Sequence, residues 1–519
     1  MTTARVGRIR ITRMRLFGAP VWLLVLAAVC ASAATIPLVY LVVRTADAGL
    51  PALAETLLRP RVLELAINSV LLALAVTASC LVLGTTIAWI LTRVRMPGAR
   101  FWLLVSALPL AVPSYLAAYG WLVAIPSMNG FFASWLVMTA VCTPYVTLPV
   151  AAALRGASGD LEAVARTLGR GPFGAFRTAT WPQVRPAAIA GALLVCLYTL
   201  SDFGAVSMLR YQTLTWGINA AYGASFDRNQ AALLALVLIV LAIVVVVGER
   251  TSRGQVAQPT TRTVPALRLP GSWLVPLGAL VLASPIVGVL VPLAGLLTRL
   301  VEAETIRQID LPRLIGAITA TLGFALAGAL VSMLIALPIA ALAARYRGRL
   351  VSMIEAVGFL GHALPGIVVG LSLVFFALAV VPALYQSVVV LIFAYTVLFM
   401  PKAIGSTRSG IAAVPDSLID VSRSLGLSAL SSWWRVTAPL ALPGVAIGAL
   451  LVAISVMKEL PATLLLRPTG VSTLATELWG RTTLFEFGAA APYAAALLLV
   501  AAVPAVVLSG IRGVAKVEL

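Results

Sequence analysis

Two matched pairs of ionisable residues sit in otherwise apolar sequence: Asp202 with Arg210, and Glu459 with Arg467. A single offset of 257 residues carries the first pair onto the second. Ionisable groups at membrane depth are costly enough to mark a pathway or a conformational lock. Two carboxylates facing a shared axis would also suit a hard cation that prefers oxygen ligands. The plainer alternative pairs Asp202 with Arg210, and Glu459 with Lys458 or Arg467, as ion pairs that only fix helix ends at a membrane boundary. Other reactive residues are sparse. His362 is the only histidine, and a lone imidazole makes a poor metal site, so a packing or hydrogen-bonding role is expected. Cys30, Cys80, Cys142 and Cys196 fall in apolar stretches without CxxC spacing and read as small buried hydrophobes, so no firm metal site is expected.

The chain has 519 residues, of which 61% are hydrophobic and 11% charged, and one soluble core cannot hide that much apolar surface. The protein must be integral to a membrane. A net charge of +19 does not indicate nucleic-acid binding, because the arginines lie in short loops beside long apolar runs rather than on one basic face. Twelve apolar runs are long enough to span a bilayer: 21–43, 65–91, 101–125, 131–154, 187–209 and 230–248, then 273–297, 314–344, 351–380, 383–400, 444–466 and 489–511. Open sheet edges cannot be satisfied in lipid and the runs lack barrel alternation, so an all-α polytopic bundle is expected.

Most of the 37 basic residues fall on one side if the N-terminus is cytoplasmic, among them Arg93, Arg95, Arg166, Arg170, Arg345, Arg347, Arg423 and Arg435. The positive-inside rule then puts both termini in the cytoplasm. The first run has a basic start, and Ala31-Ser32-Ala33 resembles a cleavage site. The run is long for a signal sequence, and an uncleaved first helix is expected. Residues 249–271, rich in Pro, Thr and Arg, read as a cytoplasmic linker between halves 21–248 and 272–512, with basic tails at 1–20 and 513–519.

The same offset repeats a whole polar segment, 161–186, as 418–443. Each copy opens with a helix-start signal, Asp160 in one and Ser417 with Asp420 in the other, and runs two turns to Gly169 or Gly426. Those glycines can take the left-handed conformation that ends a helix. A second short helix should present Phe173, Phe176 and Trp181, or Leu430, Trp433 and Trp434, before Pro182 or Pro439 breaks the chain ahead of the next span. Aromatic side chains on a short polar helix suit docking into a groove on another protein. Within the spans, Pro109, Pro113 and Pro365 break the hydrogen-bond ladder, either as hinges of a central passage or as packing kinks.

These segments resemble the EAA loop of permease subunits in binding-protein-dependent ABC importers: Glu-Ala-Ala, three residues, Gly, nine residues, then apolar, any, apolar and Pro. The spacing fits from Gly169 to Pro182 and from Gly426 to Pro439. Asp420 stands at the glutamate position of the second copy, while in the first Ala163 stands there, with Glu162 one residue early. The stretches 108–121, 199–218, 361–375 and 457–479 are similar to fused ferric-iron permeases. The resemblance implies two six-helix halves of the type I importer (MetI-like) fold about a pseudo-twofold axis, in the cell membrane of a prokaryote. It implies an extracytoplasmic solute-binding protein, two ATPase subunits gripping the loops, and ATP and Mg bound by those subunits, with no cofactor or catalytic residue in this chain. No GxxxxGK[ST] phosphate loop is present, in keeping with a borrowed ATPase. Related permeases carry thiamine, phosphonates, sulfate or other small solutes, and cationic thiamine would suit the two carboxylates as well as iron does. An ion-coupled secondary transporter built of two parallel repeats is the rival of a different class. A membrane enzyme is disfavoured by the absence of clustered His, Cys or paired acidic residues at inner-leaflet depth.

Overall fold

The computed structural model describes residues 19–48, 55, 58–223, 228–252, 267, 269–307 and 309–514. The basic N-terminal tail and most of the expected linker lie outside these residues. Among the described residues, ten helices are long and apolar enough to cross a membrane. In the first half they are Val21–Arg44, Pro60–Arg93, Gly130–Gly156, Pro172–Ser201 and Arg228–Gly248. In the second they are Gly271–Leu300, Leu311–Arg345, Val388–Ala412, Ala429–Met457 and Phe487–Pro504.

The remaining two of the twelve expected spans are broken. Phe101–Ala111 and Ser114–Ala124 meet at 89°. In the second half, Arg349–Gly358 and Gly366–Val380 are separated by a 3-10 turn at Leu360–Ala363. Both breaks sit at the prolines singled out above. Pro113 and Pro365 are N-caps of the helices that follow, in extended conformations, so the preceding helix cannot continue through them.

The halves repeat the same neighbours. Pro60–Arg93 packs on Gly130–Gly156 as Leu311–Arg345 packs on Val388–Ala412, and the next long helix of each half completes the group. The first helix of each half is exchanged: Val21–Ser32 lies on Leu311–Arg345, and Gly271–Leu300 lies on the first half's bent pair and on Gly130–Gly156. Small residues make the exchange possible. A Cβ on Gly120 would sit 2.2 Å from the Pro292 Cα, and one on Gly295 would sit 2.5 Å from the Gly120 carbonyl oxygen. Close backbone approach of this kind is how helices gain packing energy in lipid, where burial from water supplies none.

Two expected spans are displaced. The run expected at 187–209 is a helix over Pro172–Ser201, and the run at 444–466 is one over Ala429–Met457. Each begins about four turns earlier, because Pro182 and Pro439 do not break the chain. They occupy the first turn after a five-residue π-helix, Phe176–Thr180 or Trp433–Thr437. Proline cannot donate the bond that the widened turn leaves out, and the extra residue makes room for its ring.

Candidate functional site

Two hairpins project from one end of the bundle, one per half. In the first, Gly159–Thr167 ends at Gly169, which has φ +81°, and Pro172 opens the returning helix. In the second, Asp416–Ser424 ends at Gly426, with φ +85°. The closing bonds correspond one for one: Gly169 N–H to the Arg166 carbonyl at 3.0 Å and Arg170 N–H to that of Ala165 at 3.2 Å, then Gly426 to Arg423 and Leu427 to Ser422 at the same distances. This double closure requires the left-handed residue that glycine adopts without strain.

Each hairpin turns an apolar stripe to solvent. Leu161, Val164, Leu168 and Phe173 are exposed, and so are Leu418, Val421, Leu425 and Leu430, every pair at the 257-residue offset. Exposure reaches 75% at Leu168, 77% at Phe173 and 78% at Leu425. The matched Phe176 and Trp433 point the other way and pack half-buried against the bundle, with Trp433 on Ala341, Ile411, Val414 and Ala441. Trp181 is half-buried too, whereas Trp434 is exposed.

The hairpins are tied to the end of the second long helix of their half. Arg93 lies 3.7 Å from Glu162, which also takes Arg166 at 3.1 Å and the Thr180 hydroxyl at 3.0 Å, and Glu162 itself is buried. Arg345, the residue equivalent to Arg93 at its helix end, pairs instead with Asp416 at 2.6 Å and with the Val414 carbonyl at 3.1 Å. Asp420 is exposed on the outer side of its helix.

At the far end of each returning helix stands a carboxylate. Asp202 Oδ1 accepts from the N–H groups of Ala205 (3.0 Å) and Val206 (3.3 Å), and its Oδ2 accepts from the Ser114 hydroxyl. Glu459 accepts from Ala462 N–H (3.0 Å), Thr463 N–H (2.9 Å) and the Thr463 hydroxyl (2.7 Å). Both are therefore buried caps of the short helices Gly204–Met208 and Pro461–Leu466. Where Asp202 has Ser114 beside it, the longer Glu459 has Gly366, and a Cβ there would come 2.7 Å from Oε1. The two capped turns abut across the halves: a Cβ on Gly204 would touch the Leu460 side chain at 3.2 Å, and Phe203 packs on Trp479 with ring centroids 5.7 Å apart.

Residues 336–514 match the family of binding-protein-dependent transport system inner membrane components. The chain is 34% identical over 492 residues to the Fe(3+)-transport system permease protein FbpB 2 of Haemophilus influenzae, covering 93% of this chain and 97% of that one. The chain belongs to this permease family. It is a fused ABC importer permease, with both halves of the passage in one polypeptide. Shorter stretches are similar to a probable molybdenum ABC transporter permease protein of Haloferax volcanii, 31% identical over 35% of this chain and 72% of that protein. Another is similar to the sulfate transport system permease protein CysT of Escherichia coli, 31% identical over 33% of this chain and 67% of that protein.

Within the permease, neither carboxylate meets the arginine expected beside it. Arg210 stacks over the Phe485 ring of the other half at 4.7 Å. Arg467 binds the Val471 carbonyl at 3.2 Å and the Ser472 hydroxyl at 2.7 Å, on the wall of an open cavity of about 810 Å3 that also includes Arg313, Gln386 and Thr469. The reason is geometric: the N–H groups exposed at the start of each short helix are nearer than any guanidinium and satisfy the carboxylate in place. No group of three or more His, Cys, Asp or Glu side chains able to hold a metal ion occurs among the described residues.

The sequence reading passed over three features of the permease. Leu161, Val164 and Leu168 follow an i, i+3, i+7 pattern that marks one helix face. The Ser114 and Gly366 partners of the carboxylates carry no sequence signal. Two lysines of the second half stand beside one another's rods: Lys402 binds the Ser455 hydroxyl of its own half at 2.6 Å, and Lys458 reaches the Ala111 carbonyl of the opposite half at 2.7 Å.

Proposed function

We propose that this permease passes ferric iron inward, taking it from an extracytoplasmic solute-binding protein, and that two ATPase subunits drive it by gripping the hairpins at 161–186 and 418–443. The hairpin face is cytoplasmic in this reading, as are both termini, and ATP and Mg are held by the ATPase subunits alone. The observation that carries the coupling role is the pair of matched apolar stripes. Each large apolar side chain that leaves water on docking contributes about 1.5–3 kcal/mol. Two such stripes on one face of a membrane protein call for two copies of a partner.

The stroke has a short route. Pro172–Ser201 and Ala429–Met457 are continuous with their hairpins, and each rod of about 45 Å ends at the capped turn carrying Asp202 or Glu459. Tilting a hairpin therefore moves the place where the two halves abut. Asp202 and Glu459 act in this scheme by stiffening those turns, with Gly169, Gly426, Phe176, Trp433, Pro182 and Pro439 shaping the levers. Iron is favoured as cargo by the extent of the likeness to the Fe(3+)-transport permease, and sulfate or molybdenum is the second reading, favoured by the shorter likenesses.

The test is reconstitution in proteoliposomes with the ATPase subunits and the binding protein encoded alongside it. Cysteines placed at Leu168 and Leu425 should cross-link to the ATPase, and radiolabelled ferric iron should enter in an ATP-dependent manner. Uptake without any ATPase would favour an ion-coupled carrier, and sulfate uptake without iron uptake would overturn the cargo.

A further inference from the structure

Lys402 stands about 15 Å of helix in from the Ala412 end of Val388–Ala412, well within the apolar thickness. Its side chain is exposed, yet its ammonium is held by groups of the bundle, as on the wall of an internal passage. A lysine turned to lipid at that depth would be strongly disfavoured. Its ammonium instead binds Ser455 on the neighbouring rod and lies 5.2 Å from the centre of the Phe399 ring. Lys458 caps the end of the same rod, three residues beyond Ser455 and so on the same side of it. Lys458 crosses to the first half, where it binds the carbonyls of Leu110 and Ala111 at 3.3 and 2.7 Å. Those carbonyls are free because the bent pair breaks there. The equivalent positions in the first half are Tyr145 and Ser201, so the cationic charge at this level comes from one half only.

We propose that Lys402 and Lys458 form a cargo-recognition site for an anion, so that the permease passes its cargo with a net negative charge. Neither neighbouring carboxylate occupies the ammonium groups, since Asp202 and Glu459 are bound instead to backbone N–H groups and hydroxyls. A bare trivalent cation would meet two like charges at these lysines, whereas an oxyanion meets two hydrogen-bond donors. An anion reaching the site can take Lys458 from the Leu110 and Ala111 carbonyls and so loosen the contact between halves. The inference rests on the importer reading. It specifies that iron would travel wrapped in anionic oxygen ligands, and it applies equally to a free oxyanion.

Two measurements separate this inference from the reading beneath it. In a variant with Cys30, Cys80, Cys142 and Cys196 replaced by Ala, Lys402→Cys is treated with thiol reagents of equal size, one anionic and one cationic. The anionic reagent should react faster by about tenfold, and Lys458→Met should abolish that preference. Failure of both reagents to react, or equal rates, overturns the site whatever the cargo proves to be. In the reconstituted complex, Lys402→Met with Lys458→Met should lower uptake at least about tenfold while the ATPase subunits still bind and hydrolyse ATP, and Lys402→Arg with Lys458→Arg should restore it. The cargo is offered as sulfate, as ferric citrate and as ferric iron without a chelating anion. Uptake of either anionic form supports the site and names its source, and preferential uptake of the unchelated iron overturns it.

Discussion

Replacing Leu168 and Leu425 by Ser tests the coupling reading at its most exposed points. Both side chains are about three-quarters open to water, and neither has a partner in its own hairpin that the change would orphan, so the permease should insert and pack as before. Full burial of a leucine contributes about 2–3 kcal/mol, and a serine recovers little of it. The exposed share therefore sets a loss of about 1.5–2 kcal/mol per hairpin on docking, or roughly a 10- to 30-fold weaker grip at each site. The two sites act on one permease, so a single substitution should slow assembly modestly, and the double substitution should weaken it by about the product of the two. The assay is titration of purified permease in nanodiscs with the ATPase subunits, read by co-sedimentation and by permease-stimulated ATP hydrolysis. Wild-type affinity in the double variant, with normal insertion, would refute the claim that these stripes carry the grip.

Three further outcomes follow from the geometry. Gly169→Val with Gly426→Val forces a β-branched residue into the left-handed region at both hairpin turns, at about 1–2 kcal/mol or more each, and should uncouple ATP hydrolysis from uptake while leaving insertion intact. Gly366→Ser places a side chain against Glu459 and should lower thermal stability by about 1–3 kcal/mol, while adding Glu459→Asp recreates the Ser114–Asp202 arrangement and should recover most of it. Glu162→Ala leaves the buried Arg93 without its carboxylate, and amide exchange should quicken across 159–180 with 416–437 unchanged, a local loss of about 3–5 kcal/mol.

Much of this was legible in the chain itself. Apolar run length predicts the spans, and the 257-residue offset predicts the paired hairpins, because hydrophobic thickness and glycine stereochemistry act locally. Pro182 and Pro439 misled for an equally local reason: proline ends a regular α-helix, but a π-turn just before it removes the conflict, and no residue pattern announces that turn. Asp202 and Glu459 were visible as unusual, yet their partners were not. Arg210 and Arg467 are close along the chain, whereas the N–H groups that bind the carboxylates become available only once the short helices form. Lys402 reads as one more basic residue of an inner loop until the fold places it well inside the end of its helix, bonded to Ser455 of the neighbouring rod.

The repeat also shows which contacts the two halves must keep. Ser114 with Asp202 becomes Gly366 with Glu459, so a methylene gained on the acid is matched by a side chain lost beside it. Buried Ala165 and Ala175, where the arms of the first hairpin meet, become Ser422 and Ser432, whose hydroxyls bond to each other. Arg93 clamps its hairpin through Glu162, while Arg345 uses Asp416 near the start of the neighbouring helix. In each case the shape of the contact survives and the chemistry differs. The halves are therefore alike as levers and unlike in firmness: the first hairpin is held by a buried carboxylate with three partners, the second by an ion pair whose acid is largely exposed. Cutting a solvent-exposed pair releases a helix at less cost than cutting a buried one, which leaves a charge without its partner. Under the proposed coupling the second hairpin should accordingly yield first when the two are pulled together, and amide exchange at 416–437 should exceed that at 159–180 once the ATPase subunits bind.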